Sequence, residues 1–150
     1  MVAPAVASAC ACVSIELPTD FEDADAVFLV RARGPASQRL RPGPGELERT
    51  AYLRNVVVLK SWKGPARGEA VSLLMSAEAK LPGRMSTIFY PDCIPPWQKG
   101  REYLVFAYRD EEFDSSRLMT SQCSVVGKED ARSLIESLEK ASGAPTGKKR

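Results

Sequence analysis

Apolar runs and alternations along the chain predict five short β-strands. In residues 70–76, Val71, Leu73 and Met75 alternate with smaller or polar residues, which is the period of a half-buried strand. The other runs are rich in β-branched and aromatic residues and are bounded by turn-forming or charged segments. The predicted strands are residues 26–30, 52–62, 70–76, 103–108 and 117–121.

Two helices are predicted on either side of this strand region. Thr19 and Glu22 have the spacing of a capping box, and Asp20 adds negative charge to the first turn, so a short helix should begin near Thr19. Residues 129–141 carry an apolar stripe at helical spacing, and Gly143 follows as a stop. The stripe consists of Ala131, Leu134, Ile135 and Leu138.

Glycine, proline and charged residues predict the connections. Residues 34–46 hold three glycines and three prolines and are expected to form a loop, and residues 63–65 are expected to form a turn. Residues 110–116 read as an acidic turn, and residues 77–100 as a long connection. In that connection, Trp97 is expected to pack the loop onto the fold, with an exposed binding role as the alternative.

Five strands with a short leading helix and a trailing helix predict a mainly β fold. A chain of 150 residues fits one domain, and no second-domain boundary or internal repeat is visible. A five-stranded closed barrel with one longer excursion is typical of the OB-fold, with the C-terminal helix packed on it. Sandwiches usually need about seven strands, so the sequence favours the barrel.

The amino-acid composition excludes several classes of catalytic and binding site. The chain contains no histidine, which excludes histidine bases, Ser-His and Cys-His nucleophile systems and histidine metal ligands. A net charge of +2 gives no overall field for nucleic acid. An enzyme would depend on a carboxylate cluster that has the pattern of a solvated turn, so the chain is not expected to be an enzyme. That cluster is Asp110, Glu111, Glu112 and Asp114.

The first nine residues are small and mostly apolar, and Ala7-Ser8-Ala9 matches the small-residue pattern of a signal-peptide cleavage site. Residues 1–9 are therefore predicted to be the remnant of a signal peptide, with a disordered leader as the alternative. The protein is then secreted, to an extracellular or periplasmic location. Residues 10–142 form the folded domain, and residues 143–150 form a disordered basic tail. No stretch is apolar for long enough to span a bilayer.

Four cysteines in a chain with secretory features indicate two disulfides. Cys10 and Cys12 are separated by one residue and cannot easily bond each other, so each is expected to pair with Cys93 or Cys123. Spacing alone leaves the pairing open. A four-cysteine zinc site is the alternative, although such sites usually use two close pairs. Lipidation of Cys10 is a weaker possibility.

The order of these features resembles a known family. Residues 21–33 give a short helix, an Ala-Asp pair and an apolar strand that ends in arginines, and residues 52–65 give a tyrosine-led strand closed by Lys-Gly-Pro. Cys93 precedes a Gly-x-x-Tyr-Leu strand at residues 100–104, and Cys123 follows a short strand. Over residues 10–141, the chain resembles the N-terminal, netrin-like domain of the tissue inhibitors of metalloproteinases and the bacterial secreted proteins that share it.

The resemblance implies a mechanism and a set of site residues. It implies the disulfides Cys10–Cys93 and Cys12–Cys123. It also implies that the free amino group and carbonyl of Cys10 chelate the zinc of a target metalloproteinase. Ala11 would then enter the specificity pocket, with Cys12, Val13 and Ser14 along the edge. The implied partner is a zinc metalloproteinase bound by a monomer that holds no metal or cofactor of its own.

Some positions depart from the family pattern. Glu22 stands near the place of a third-bridge cysteine, Ser14 replaces a usual proline, and Ala11 is smaller than the usual threonine or serine. The alternative function is a secreted netrin-like module that binds a protein or a polyanion. Its support is that residues 31–63 contain eight Lys/Arg and two Asp/Glu. Nucleic-acid binding, the third class, is not expected because the strand aromatics read as core or barrel-edge residues. These are Phe28, Tyr52, Trp62, Tyr103 and Phe106.

Overall fold

The protein is mainly β with two helices, as the sequence predicted. The fold comes from a computed structural model, which describes residues 14–83, 86–89, 97–109, 117–120 and 122–143. A short 3₁₀ helix, Gln122–Ser124, precedes the last strand. The elements are α1 (Thr19–Asp23), β1 (Ala26–Leu40), β2 (Glu48–Lys63), β3 (Ala70–Lys80), β4 (Ser86–Phe89), β5 (Glu102–Arg109), β6 (Leu118–Met119), β7 (Val125–Gly127) and α2 (Arg132–Gly143).

Five of the strands are hydrogen-bonded in a ring. β1 pairs with β2 and β2 with β3, both antiparallel. β5 pairs antiparallel with β1 and with β6. The ring closes where β6 runs parallel to β3, with Leu74 opposite Met119. β4 extends the sheet beside β3, and β7 extends it beside β5.

Two apolar clusters lie on opposite faces of β1 and β5. Phe28 and Val30 of β1 pack with Val105 of β5 in the first cluster. Val27 of β1 and Phe106 of β5 point to the second cluster, which is covered by the two helices. Because both faces of these strands are buried, their sequences are continuous apolar runs instead of polar–apolar alternations. The fully buried side chains include Val27, Phe28, Val30, Leu104, Val105 and Phe106.

The apolar stripe predicted for the C-terminal helix is confirmed. Ala131, which directly precedes the helix, and Leu138 are buried in the second cluster, and Leu134 and Ile135 pack against it. The helix begins at Arg132, three residues later than predicted, because residues 128–131 form turns. In these turns, the Ala131 amide donates to the carbonyl oxygens of Gly127 and Lys128.

The capping box predicted for the first helix is wrong. Pro18 occupies the N-cap position of α1, and no side chain caps the helix. The carboxylate of Asp20 instead accepts a hydrogen bond of 2.6 Å from the backbone amide of Glu16. Asp20 therefore stabilises the turn before the helix. Thr19 and Glu22 do not cap the helix, although their spacing predicted it.

The predicted loop at residues 34–46 is also wrong in its first half. β1 continues to Leu40, which lies opposite Arg49 of β2. The register of the β1–β2 pair shifts between Ala32 and Pro35, so Gly34 and Pro35 fall at an irregularity. β5 pairs with β1 only as far as Arg31. Proline has no amide hydrogen to donate, but at position 35 no hydrogen bond to β5 is lost, because β5 no longer pairs there.

The predicted long connection at residues 77–100 likewise contains strand. β3 runs on to Lys80, and β4 pairs with it, with Ser86 opposite Lys80. The burial alternates past the predicted end at residue 76, because Ala77 and Ala79 are fully buried between more accessible neighbours. This alternation was visible in the sequence but was carried by alanines, which have low strand propensity.

A carboxylate organises the turn that joins β1 to β2. Glu46 accepts hydrogen bonds from the Gly43 amide (2.8 Å) and from Nε and Nη2 of Arg49 (both 2.7 Å). These bonds lower the pKa of Glu46, the arginine hydrogen bond contributing most, and the Glu46 hydrogen bond raises the pKa of Arg49. The Glu46 carboxylate thus links the backbone at Gly43 to the side chain of Arg49.

Glu46→Gln is expected to lower the stability of the protein near neutral pH, because the amide cannot accept both charge-assisted bonds. A carboxyl whose pKa is lowered by folding stabilises the fold above its unfolded pKa of about 4.3, and this contribution is lost as the pH falls through the folded pKa. Denaturant unfolding at pH 7 and pH 3 should therefore show a difference between the wild type and the variant that shrinks at the lower pH. Glu69→Gln is the matched control at an exposed turn. A difference between wild type and Glu46→Gln that is the same at both pH values contradicts the assignment.

Candidate functional site

Most of the predicted binding edge lies outside the described residues. Ser14, the first residue described, is exposed. Cys10, Ala11, Cys12 and Val13 precede it. The roles assigned to these residues, and the boundaries of the leader and the tail, therefore stay predictions. Gly143 is the last residue of α2, and residues 144–150 lie beyond the described part.

The segment that follows the predicted edge is attached to the fold at several points. Ile15 and Leu17 pack against the second apolar cluster. The Asp25 amide donates to the Ala107 carbonyl oxygen (2.9 Å), and the Asp25 carboxylate accepts from the Arg109 amide (2.6 Å). The residues that follow the predicted binding edge are therefore anchored to the second apolar cluster and to β5.

Cys123 is the one cysteine among the described residues. It lies in the 3₁₀ helix after β6, is exposed and is disulfide-bonded. Its partner lies outside the described residues, as do Cys10, Cys12 and Cys93, so the pairing remains a prediction. Val125, two residues later, pairs with Val105 of β5. Cys123 therefore lies between β6, which closes the ring, and β7, which pairs with β5.

The basic stretch at residues 31–63 is largely engaged with partners. Arg31 forms an ion pair of 2.8 Å with Glu102, whose pKa is lowered first by Arg31 and then by Lys128. Lys60 forms an ion pair with Glu139 of α2. Lys63 donates to the carbonyl oxygen of Phe21 (2.8 Å). These positive charges serve the fold, which weakens the argument for a polyanion site.

The strand aromatics are mainly core residues, as expected. Phe28, Tyr103 and Phe106 are buried. Trp62 is half-buried and packs against the second apolar cluster. Tyr52 is 40% exposed, and its hydroxyl donates to Glu78 over 3.1 Å. That hydrogen bond is the main cause of the raised pKa of Tyr52. An exposed ring beside a carboxylate is a poor platform for a nucleic-acid base.

Trp97 packs onto the fold, which confirms its expected structural role. Its ring meets the Tyr103 ring edge-to-face, with centroids 5.0 Å apart and an interplanar angle of 74°. The amide of the next residue, Gln98, donates to the Tyr103 hydroxyl over 2.8 Å. Trp97 also packs against the first apolar cluster. These contacts attach the end of the long connection to β5.

An apolar groove that the sequence did not predict lies among the described residues. It lies between α1, the end of β2 and α2, and its volume is about 500 Å³. The groove passes between Phe21 and Trp62, and a lysine ammonium lies over each ring, Lys63 at 5.1 Å and Lys60 at 5.6 Å. Its lining residues are Leu17, Pro18, Phe21, Trp62, Ser137, Leu138, Ala141 and Ser142.

No metal site is found among the described residues, and no matching protein family assigns a chemistry to the chain. Within the described ranges, no group of three or more His, Cys, Asp or Glu side chains could hold a metal ion. No helix in these ranges has the length and apolar character needed to cross a bilayer. No protein-family model matches the chain, and no curated protein matches it.

Proposed function

We propose that the protein is a secreted netrin-like OB-fold protein that inhibits zinc metalloproteinases through a free amino-terminal Cys10. The observation that carries this proposal is the order of the ring, β1–β2–β3–β6–β5, with a parallel β3–β6 pair that closes it. An OB-fold is a five-stranded Greek-key barrel, and a ring of five strands in this order supports the proposal of that fold. Cys123, which follows β6 and is disulfide-bonded, supports a second segment held against the ring.

The chemistry of the proposed inhibition follows from the amino terminus. An α-amino group has a pKa of about 8, so a usable fraction is neutral at pH 7 and can bind zinc. The adjacent carbonyl oxygen of Cys10 supplies a second ligand, and the Ala11 side chain enters the pocket of the protease. An edge fixed by disulfides before binding avoids most of the ordering cost of a flexible peptide.

The proposed disulfides are Cys10–Cys93 and Cys12–Cys123. Each closes a loop of roughly 80 to 110 residues, for which the chain-entropy model gives a stabilisation of about 4 to 5 kcal/mol. A non-reducing peptide map should recover these two pairs. Recovery of a peptide in which Cys10 is joined to Cys123 contradicts the proposed pairing.

The chain that begins at Cys10 is expected to inhibit at least one zinc metalloproteinase, whereas the chain with residues 1–9 is expected to lose inhibition. An acylated Cys10 nitrogen is an amide, and its delocalised lone pair is not available to zinc. Both forms should be titrated against a panel of zinc metalloproteinases. A matched control is the chain from Cys10 with its amino group acetylated, which removes chelation by the amine while it adds only two carbons and one oxygen.

Three outcomes separate the alternatives. Inhibition by the free amine alone supports chelation. Equal inhibition by the free and acetylated forms contradicts chelation but leaves inhibition intact. Failure of every form against the whole panel favours the netrin-like binding module.

A further inference from the structure

The groove between α1, the end of β2 and α2 has the size and the lining of a small-ligand site. Its volume of about 500 Å³ lies within the usual range for such sites, roughly 300 to 1,000 Å³. Its apolar lining comes from all three elements and the segment before α1, and includes Leu17, Phe21, Trp62, Leu138 and Ala141. The groove therefore favours a ligand whose larger part is apolar.

One cation at the edge of the groove has no carboxylate partner among the described residues. The ammonium of Lys63 lies 5.1 Å from the centre of the Phe21 ring, which lines the groove. It donates to the backbone carbonyl oxygens of Phe21 (2.8 Å) and Glu22 (3.2 Å), so the positive charge lies on α1 itself. An ammonium has three N–H donors, and one is left for the polar end of a ligand.

The carboxylates nearest the groove do not compete for this ammonium. Glu139 of α2 forms its ion pair with Lys60. The carboxylates of α1 belong to residues that are rotated by about 100° or more from Phe21 around the helix axis, since an α-helix has 3.6 residues per turn. None of them therefore shares the face of Phe21. These residues are Asp20, Glu22 and Asp23.

We propose that the groove binds a free fatty acid. The alkyl chain lies along Trp62 and Leu138, and the carboxylate accepts a hydrogen bond from the ammonium of Lys63. This cation selects an anionic ligand, because a hydrogen bond between two charged groups is stronger than one to a neutral oxygen. An alcohol of the same length makes the weaker bond, and a cationic amphiphile is repelled. The proposal does not depend on metalloproteinase inhibition.

The test titrates the full chain with laurate, and separately with dodecanol and dodecyltrimethylammonium, whose alkyl chains are of matched length. The two tryptophans are paired reporters, because Nε1 of each is buried and has no hydrogen-bond partner among the described residues. Trp62 lines the groove, whereas Trp97 packs against the first apolar cluster. Laurate is expected to shift the indole Nε1–H resonance of Trp62 and to leave that of Trp97 unchanged. Trp97→Phe assigns the two resonances.

The wild-type protein should bind laurate about three- to five-fold more tightly than dodecanol, which is the range expected for a partly exposed ion pair. Lys63→Met removes the ammonium but keeps an apolar stem, so this preference should disappear. Lys99→Met makes the same change at an exposed position and should retain the preference.

A second pair of variants tests the apolar part of the site. Ala141→Phe fills the groove from an exposed position on α2 and should abolish the Trp62 shift with every probe. Ser133→Phe adds the same ring at an exposed position of α2 that does not line the groove, and binding should persist. This pair decides whether the groove is the site even if Lys63→Met fails to fold.

Three results overturn the proposal. The first is a titration with laurate that leaves Trp62 unshifted or shifts both tryptophans equally. The second is equal affinity of the wild-type protein for laurate and dodecanol, which identifies the groove as a site for neutral apolar molecules. The third is tighter binding of the cationic probe, which assigns the recognition to the carboxylates of α1.

Discussion

Gly64→Val should lower the free energy of unfolding by about 2 to 5 kcal/mol. Gly64 follows β2 with a φ of +99°, a conformation in which a β-branched residue is strongly disfavoured. A Cβ at this position would lie 2.6 Å from the Cβ of Ala26, which is fully buried. Backbone strain and overpacking therefore add at the same position. Urea unfolding monitored by circular dichroism measures the effect.

Gly68→Val is the matched control for this prediction. Gly68 has a φ of +90°, but a Cβ there meets no atom within 4 Å. It should show the backbone penalty alone, about 1 to 2 kcal/mol. If the two variants lose the same stability, the close approach of Gly64 to Ala26 makes no energetic contribution, and the predicted overpacking is wrong.

Ala11→Asp should abolish inhibition by the chain that begins at Cys10, with a rise of at least about 100-fold in the inhibition constant. The proposed pocket is closed to water, so an unpaired carboxylate pays its desolvation cost. Ala11→Leu should instead strengthen inhibition of proteases with deep pockets by roughly one to two orders of magnitude, because each buried methylene contributes about 0.8 kcal/mol. Inhibition constants for both variants against one protease provide the measurement.

The stability of the Ala11 variants is the control for this result. The free energy of unfolding should change by no more than about 0.5 kcal/mol, since the side chain is proposed to point away from the fold. Ser14→Asp, at an exposed position on the same edge, places an equal charge outside the pocket. If Ser14→Asp and Ala11→Asp have the same effect, general repulsion and not a pocket explains the loss.

The strands that were predicted best are those in which burial on both faces alone explains the apolar sequence. Residues 26–30 and 103–108 lie in strands buried on both faces, which a continuous apolar run reports directly. The errors arose where local signals compete. Gly34 and Pro35 usually break strands, but here pairing with β2 continues beyond them at a shifted register. Thr19 and Glu22 have capping spacing, but Pro18 takes the cap position.

The candidate site was less accessible to sequence reasoning than the fold. The inhibitory edge was predicted from the order of cysteines and the resemblance that it supports, and four of its five residues lie outside the described part of the chain. The groove was missed because Leu17, Trp62 and Leu138 are far apart in the chain and meet only through tertiary packing. The hydrophobic pattern within a single segment cannot predict a surface formed by three separate segments.

The closure of the ring has a consequence for how the molecule opens. β6 has two residues, and it meets β3 at the single pair Leu74 and Met119, supported by a hydrogen bond of 3.2 Å from the Thr120 amide to the Leu74 carbonyl oxygen. By contrast, β1 and β2 are paired along most of their length. Native-state fluctuations should therefore separate β3 from β6 at a lower free energy than they separate β1 from β2. The ring can open into a curved sheet without global unfolding, and the Thr120 amide should exchange its proton with solvent long before the amides that pair β1 with β2.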